Sequence, residues 1–400
     1  MSRMQDEQAV ENFRDYLRIP TVHPDVNYDE CVSFLRRQAD ELGLPIKVVS
    51  PNPKKPTVII TWPGLEPELS GILLNSHTDV VPVYPELWDH DPFGAYRDDE
   101  GNIFARGAQD MKCVAIQYLE AVRRLKGSGV RLRRNVHMCF VPDEETGSFE
   151  GMAKFVNSEE FCNMNVGFAL DEGFADPADI FILFYAERSV WQIEVHCPGT
   201  TGHGSLLPDN TAAGKVRVLL DRAMDFREKE KRRLENNPHL TIGDVTSLNV
   251  NMLKGGVQNN VIPPEMSVVM DIRIAPTVDH AEFESMLEEW CKEAGPGTYI
   301  EFLQRGIKES VTALDSSNPW WTAFKSVADK LKLNIKPVVS PAAADARFIR
   351  RMGIPALGFS PLNNTPQTLH SNNEFINDKI FLRGIDIYCQ IIEALGNVPE

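Results

Sequence analysis

Four apolar segments each run into side chains able to hold a metal ion. LLNSHTD leads into His77 and Asp79, FVPDEE into Glu144 and Glu145, and FALDEG into Asp171 and Glu172, while the stretch after LGFSP reaches His370. Asp110, in RGAQDMK, precedes a helical pattern that begins near Met111. Taken singly these residues are ordinary, since a carboxylate just past a strand is usually solvated and an Asp commonly caps a turn. Taken together, two histidines and several carboxylates supply the nitrogen and oxygen donors that suit zinc. The set exceeds what one ion needs, which points to two ions roughly 3.5 to 4 Å apart that share a carboxylate.

Spacing within these segments suggests a division of labour. His77 and Asp79 are two apart, hence on one side of a continuing strand, where Asp79 can accept the free ring N–H of His77 and fix its tautomer. Glu144 and Glu145 are adjacent and point to opposite faces of extended chain, so they need not share a role. If Glu145 binds an ion, Glu144 is left beside the metals but uncoordinated, free to move a proton. Asp143 is read as a turn residue.

Such residues converge only if the fold brings them together. Near-continuous apolar runs at Val58 to Trp62, Gly71 to Leu74, Val136 to Val141 and Val166 to Leu170 read as strands buried on both faces. Val114, Tyr118, Val122 and Leu125 lie between the second and third at helical spacing, with Gly127 and Gly129 as stop signals. This predicts an α/β fold with a largely parallel sheet, in which ligands gather outside the carboxyl ends of the strands. From about Glu187 the pattern becomes β-α-β-β-α-β, the ferredoxin-like α+β order. The α/β rhythm then returns, through a helix near Trp320 to Leu331, a strand at Ala356 to Phe359 and a closing amphipathic helix. The expected organisation is one discontinuous domain of residues 1–186 and 308–400 with a second domain, 187–307, inserted into it.

Composition narrows the functional classes. The 400 residues carry 41 basic and 57 acidic side chains, a net charge of -16 that repels nucleic acid and anionic membranes. No apolar run approaches the ~20 residues of a membrane span, and the amino terminus lacks a secretory apolar segment. Seven scattered cysteines without a C-x-x-C pair suit a reducing compartment, so a cytoplasmic location is expected, with no nucleic-acid or membrane partner.

The ordered motifs LLNSHTDVVP, ARGAQDMKC, FVPDEETG and FALDEG, followed by His370 in TLHSNNE, resemble the di-zinc family of acetylornithine deacetylases, succinyl-diaminopimelate desuccinylases and aminoacylases. The likeness to cytosolic aminoacylases runs over nearly the whole chain, including SNPWW, PALGFSP and LRGIDIY. The resemblance implies a di-zinc peptidase-like catalytic domain holding two Zn2+ per subunit. In it Asp110 bridges, His77 and Glu172 complete one site, and Glu145 and His370 complete the other. It further implies Glu144 as general base, Asp79 as the residue supporting His77, and a cis peptide after Asp110. The inserted domain becomes a dimerisation or lid domain, implying a homodimer. His203, in TTGHGS, would stabilise the oxyanion in a partner subunit's site; Asn260, in NNVIP, would lie near substrate; and Arg273, in MDIRIAP, would grip its carboxylate. Arg347 is retained as a substrate-binding position, although Ala344 stands where relatives often carry a hydroxyl residue before the Asp-x-Arg.

The implied reaction is zinc-dependent hydrolysis of small N-acyl-L-amino acids to a carboxylate and a free amino acid. A dipeptidase or carboxypeptidase would use the same metal chemistry. A non-catalytic, zinc-stabilised dimeric scaffold is the alternative from another class, but it gives an uncoordinated Glu144 nothing to do.

Overall fold

Continuous burial on two faces decides the central architecture. In the computed structural model, which describes residues 3–400, every residue of the strands Gly71–His77, Val136–Val141 and Ala356–Phe359 is buried. Alternate side chains serve different cores. Ile72, Leu74, Val136, Met138 and Phe140 join a cluster with helices Arg3–Leu17, Lys112–Gly127 and Asp378–Gly396. Leu73, Cys139 and Val141 join another with Met152, Phe155, Phe161 and Phe348 on short helices. Period-two alternation with both faces apolar is what turns a strand into an unbroken hydrophobic run.

The chain divides into two units. The first contains residues up to Tyr185 together with Val311–Pro337 and Ala343–Glu400; the second contains Ala186–Ser310 and Val338–Ala342.

The large sheet has eight strands in the order Ile46–Asn52, Lys55–Trp62, Val136–Val141, Gly71–His77, Val166–Asp171, Ala356–Phe359, Phe181–Glu187 and Ile335–Ser340. Its four middle strands, from Val136–Val141 to Ala356–Phe359, are mutually parallel. Antiparallel strands flank them on both sides, so the sheet is mixed around a parallel centre. The first two strands are separated by only two residues, a connection that an antiparallel hairpin can make and a parallel crossover cannot. The parallel centre places the carboxyl ends of Gly71–His77 and Val166–Asp171, where His77 and Glu172 lie, on one edge.

The second unit carries a four-stranded antiparallel sheet in the order Ser247–Gly255, Glu265–Ile274, Ser189–Pro198 and Tyr299–Arg305. Helices Ala212–Glu235 and His280–Ala294 pack Val216, Leu219, Phe283, Leu287 and Trp290 against Trp191, Ile193, Val195 and Met270 of the sheet. Each helix starts where a side-chain oxygen replaces a missing helical acceptor: Thr211 for Gly214 N–H, Asp279 for Ala281 and Glu282 N–H. The strands of this sheet and the two helices follow the order β-α-β-β-α-β, and a short antiparallel pair, Gly202–His203 with Val261–Ile262, lies outside it. No helix among the described residues is long and apolar enough to cross a membrane.

One buried histidine links this fold to pH. His137, in the central strand Val136–Val141, is 5% exposed, and burial holds its imidazole down to about 4. The unfolded chain should bind that proton near pH 6.5. Between about pH 6.5 and 4 the unfolded state therefore holds more protons, so the stability His137 contributes is present above 6.5 and is lost as pH falls through this window. Its share should reach roughly 3 kcal/mol at the acid end. Denaturant unfolding at stepped pH should show a flatter slope over this interval in His137→Gln than in the parent, whatever the variant's absolute stability. Equal slopes would remove His137 from the acid response.

Candidate metal centre

The ends of the parallel strands and two loops bring the acids and histidines together. His77 closes its strand, and Thr78 still donates its N–H to Val141 O of the neighbouring strand at 2.8 Å. Glu144 and Glu145 lie in the single turn Glu144–Thr146 after Val136–Val141, and Glu172 directly follows Val166–Asp171. Asp110 precedes helix Lys112–Gly127, with a cis Asp110–Met111 peptide. His370 occupies a loop with φ +59°.

Two groups of three result, His77 with Asp110 and Glu172, and Asp110 with Glu145 and His370; within each, the potential ligand atoms lie within 4.8 Å of one another. His77 Nε2 is 2.9 Å from Asp110 Oδ1 and 3.6 Å from Glu172 Oε2. His370 Nε2 is 3.1 Å from both Asp110 Oδ2 and Glu145 Oε2. Asp110 thus turns one oxygen toward each group. Glu144 belongs to neither.

Asp79 acts differently from its spacing. The strand stops at His77, so alternation no longer places the two side chains side by side; the ring Nδ1 lies 2.9 Å from the main-chain carbonyl of Asp79 and 4.0 Å from its carboxylate. The carboxylate accepts the backbone N–H groups of Glu144 and Glu145, both at 3.2 Å, and lies 2.7 Å from His23 Nε2. It therefore fixes the acidic turn. Asp143, read as a turn residue, is buried at φ +74° and accepts from Lys55, from Thr146 Oγ1 at 2.5 Å and from Glu150 N–H at 2.8 Å.

The electrostatics of the cluster favour positive charge between its carboxylates. Burial, reinforced by Asp110, pushes Glu172 well above the carboxylate range and raises Glu145. Burial and then the charge of Glu172 push Glu144 well above it too. Burial also opposes ionisation of Asp110, but contacts with His370 and His77 outweigh it and hold that carboxyl low. Hydrogen bonds to Asp110 and Glu145 lift His370 to about 10. Crowded carboxylates of one sign need positive charge to ionise together. Glu145 Oε1 is moreover buried without a hydrogen-bond partner among the described residues. Imidazole nitrogen and carboxylate oxygen are a donor set for first-row divalent ions, so these residues fit a pair of cations.

Several supporting residues escape sequence reasoning. Asn75 Nδ2 donates to both Asp171, at 3.0 Å, and Asp345, at 3.2 Å, and Asp171 also accepts Ala346 N–H at 2.7 Å. Burial and the neighbouring Asp171 push Asp345 up to about 7. His23, Asn75 and Glu374 gave no signal; Asp345 stands in the Asp-x-Arg motif that also carries Arg347. Arg347 donates to Gly147 O at 2.8 Å and lies over the Phe348 ring.

His203, Asn260 and Arg273 belong to the second unit. His203 is exposed, with Nδ1 2.8 Å from Ser205 Oγ, and Asn260 Oδ1 accepts from Gln258 Nε2 at 2.8 Å. Arg273 forks onto the Asp271 carboxylate at 2.7 and 3.1 Å, on the same face of its strand.

Known proteins resemble this chain over nearly its full length. The chain is 51% identical to aminoacylase-1 of Homo sapiens over 395 residues, covering 99% of this chain and 97% of that protein. It is 43% identical to aminoacylase-1 of Dictyostelium discoideum over the full length of both. Among solved structures, an M20 family metallo-carboxypeptidase from Sulfolobus solfataricus superposes with TM-score 0.70 at 16% identity, covering 99% of this chain and 100% of the other. A dinuclear metal binding peptidase of the M20 family from Bacillus subtilis gives TM-score 0.67 at 16% identity, with 98% of each chain covered. The model of Peptidase family M20/M25/M40 matches residues 73–394, a span that takes in every side chain of both ligand groups. With the family model matched over most of its length and relatives aligned end to end, the chain belongs to Peptidase family M20/M25/M40.

Proposed function

We infer that this protein is a metal-dependent aminoacylase that hydrolyses N-acyl-L-amino acids to a carboxylate and a free L-amino acid. The reading draws its substrate class from the aminoacylase-1 relatives, half identical over nearly the whole chain. The observation that carries the hydrolytic part is Asp110 facing a separate ligand group with each oxygen, while Glu144 stays outside both.

The ions are proposed to be zinc, with His77, Asp110 and Glu172 around one and Asp110, Glu145 and His370 around the other. Bound divalent cations would supply Lewis acidity, which lowers the pKa of an attacking water. Glu144 takes a proton from the attacking water as its oxygen bonds to the acyl carbon. The same carboxyl returns that proton to the amide nitrogen as the C–N bond breaks, so one water is divided between the products. Asp79 keeps Glu144 in reach by holding the backbone of its turn.

The second unit is proposed to provide a homodimer contact, with His203 stabilising the oxyanion, Asn260 contacting substrate and Arg273 gripping the free α-carboxylate. Arg347 is proposed as a further substrate contact. A cytoplasmic site of action follows from the scattered, unpaired cysteines.

Parallel assays with N-acetyl-L-methionine and a dipeptide test the substrate class: the acylated amino acid should be the faster, and a preference for the dipeptide would make the protein a dipeptidase. If Arg273 grips the carboxylate, Arg273→Ala should raise KM for N-acetyl-L-methionine by about 10-fold or more, the worth of a charge-assisted pair. An unchanged KM would leave Arg273 as the partner of Asp271 alone.

A further inference from the structure

Glu374 is a fully buried carboxylate outside both ligand groups, and all its hydrogen bonds run to the loop that presents Asp110. Oε2 accepts from Arg106 Nη1 at 2.8 Å and Gly107 N–H at 3.0 Å; Oε1 accepts from Gln109 N–H at 2.6 Å and Asp110 N–H at 3.2 Å. Arg106 in turn reaches the carbonyls of Ser371, at 3.1 Å, and His370, at 3.4 Å. The ion pair therefore ties the loop of Asp110 to the loop of His370.

Resting on the paired-ion reading above, we propose that Glu374, through Arg106, is a positioning residue that sets the affinity of the ion held by Asp110, Glu145 and His370. That group draws two of its three ligands from the tied loops. The other group draws only Asp110 from them, since His77 and Glu172 are carried by ends of the parallel strands. His370 is also the most exposed ligand, its side chain 52% accessible, so packing does little to hold it. Bonds from Arg106, itself paired with the buried Glu374, to the carbonyls of His370 and Ser371 do that work instead.

Glu374→Gln is the discriminating change. Each carboxylate oxygen accepts two N–H groups, so whichever way the amide sits, two donors meet an NH2 instead of an acceptor. Zinc titration of metal-stripped protein, followed calorimetrically, should show two ions for the parent. For Glu374→Gln one ion should keep its affinity within about threefold while the other binds about 10–100-fold more weakly, the usual effect of losing a group that orients a ligand. His370→Ala, titrated alongside, identifies which ion is weakened. Arg106→Lys keeps the charge but gathers its donors on one nitrogen in place of the fork that spans Glu374 and two carbonyls, so it should give the same selective loss and decides the matter should Glu374→Gln fail to fold. Unchanged affinities, or equal weakening of both ions, would overturn the proposal. A parent that binds fewer than two ions would instead overturn the paired-ion reading.

Discussion

Glu144→Gln should retain two ions per chain while its turnover of N-acetyl-L-methionine falls by at least ~100-fold, the lower end for a general acid–base group. The substitution is nearly isosteric, and the position of the turn is set by the backbone N–H groups of residues 144 and 145 on Asp79, which an amide side chain leaves intact. Ligand geometry should therefore survive, and the loss should appear equally in kcat and kcat/KM because the missing proton transfer belongs to the transition state. Metal analysis and steady-state kinetics on the same preparation check both halves. Near-normal turnover with both ions present would take Glu144 out of the reaction.

Legibility of the fold followed burial. Gly71–His77 and Val136–Val141 stand out because both faces are covered, which leaves no polar positions to interrupt the run. Ile46–Asn52 lies at the sheet edge, breaks its alternation at Val48 and Val49 and contains a proline, so little in its sequence marks a strand. The residues of the two candidate groups stand out for a related reason, since strand ends that stop in His or a carboxylate are conspicuous against apolar surroundings. The groups that hold them were not. Asp79 acts through its carbonyl toward His77 and through its carboxylate toward two peptide N–H groups, and a pattern of side chains carries no record of main-chain partners. Glu374 is silent for the same cause: three of its four bonds go to backbone more than 260 positions away in sequence. The pairing of Arg273 with Asp271 was visible as a two-residue spacing on a strand, yet spacing alone does not say whether a guanidinium waits for a ligand or for its neighbour.

Asp110→Asn should be the most damaging single change. One carboxylate faces both histidines, Oδ1 at 2.9 Å from His77 and Oδ2 at 3.1 Å from His370, so neutralising it removes an anionic ligand from both groups at once. Loss of a mere supporting partner costs about 10–100-fold in metal affinity. Loss of a shared ligand should therefore weaken each ion by more than ~100-fold, and turnover should drop below that of Glu144→Gln. The effect should also be visible without any substrate. Ligands that bind only the folded state stabilise it by about 2.7 kcal/mol per site at a hundredfold excess over Kd, so the parent's Tm should climb as zinc is added to the stripped protein. In Asp110→Asn that climb should shrink to about a sixth or less over the same zinc range, because a hundredfold-weakened site is only half filled at the concentration that saturates the parent and contributes about 0.4 kcal/mol there. A variant whose Tm still rises with zinc as the parent's does would show that the two ligand groups work independently of the carboxylate between them.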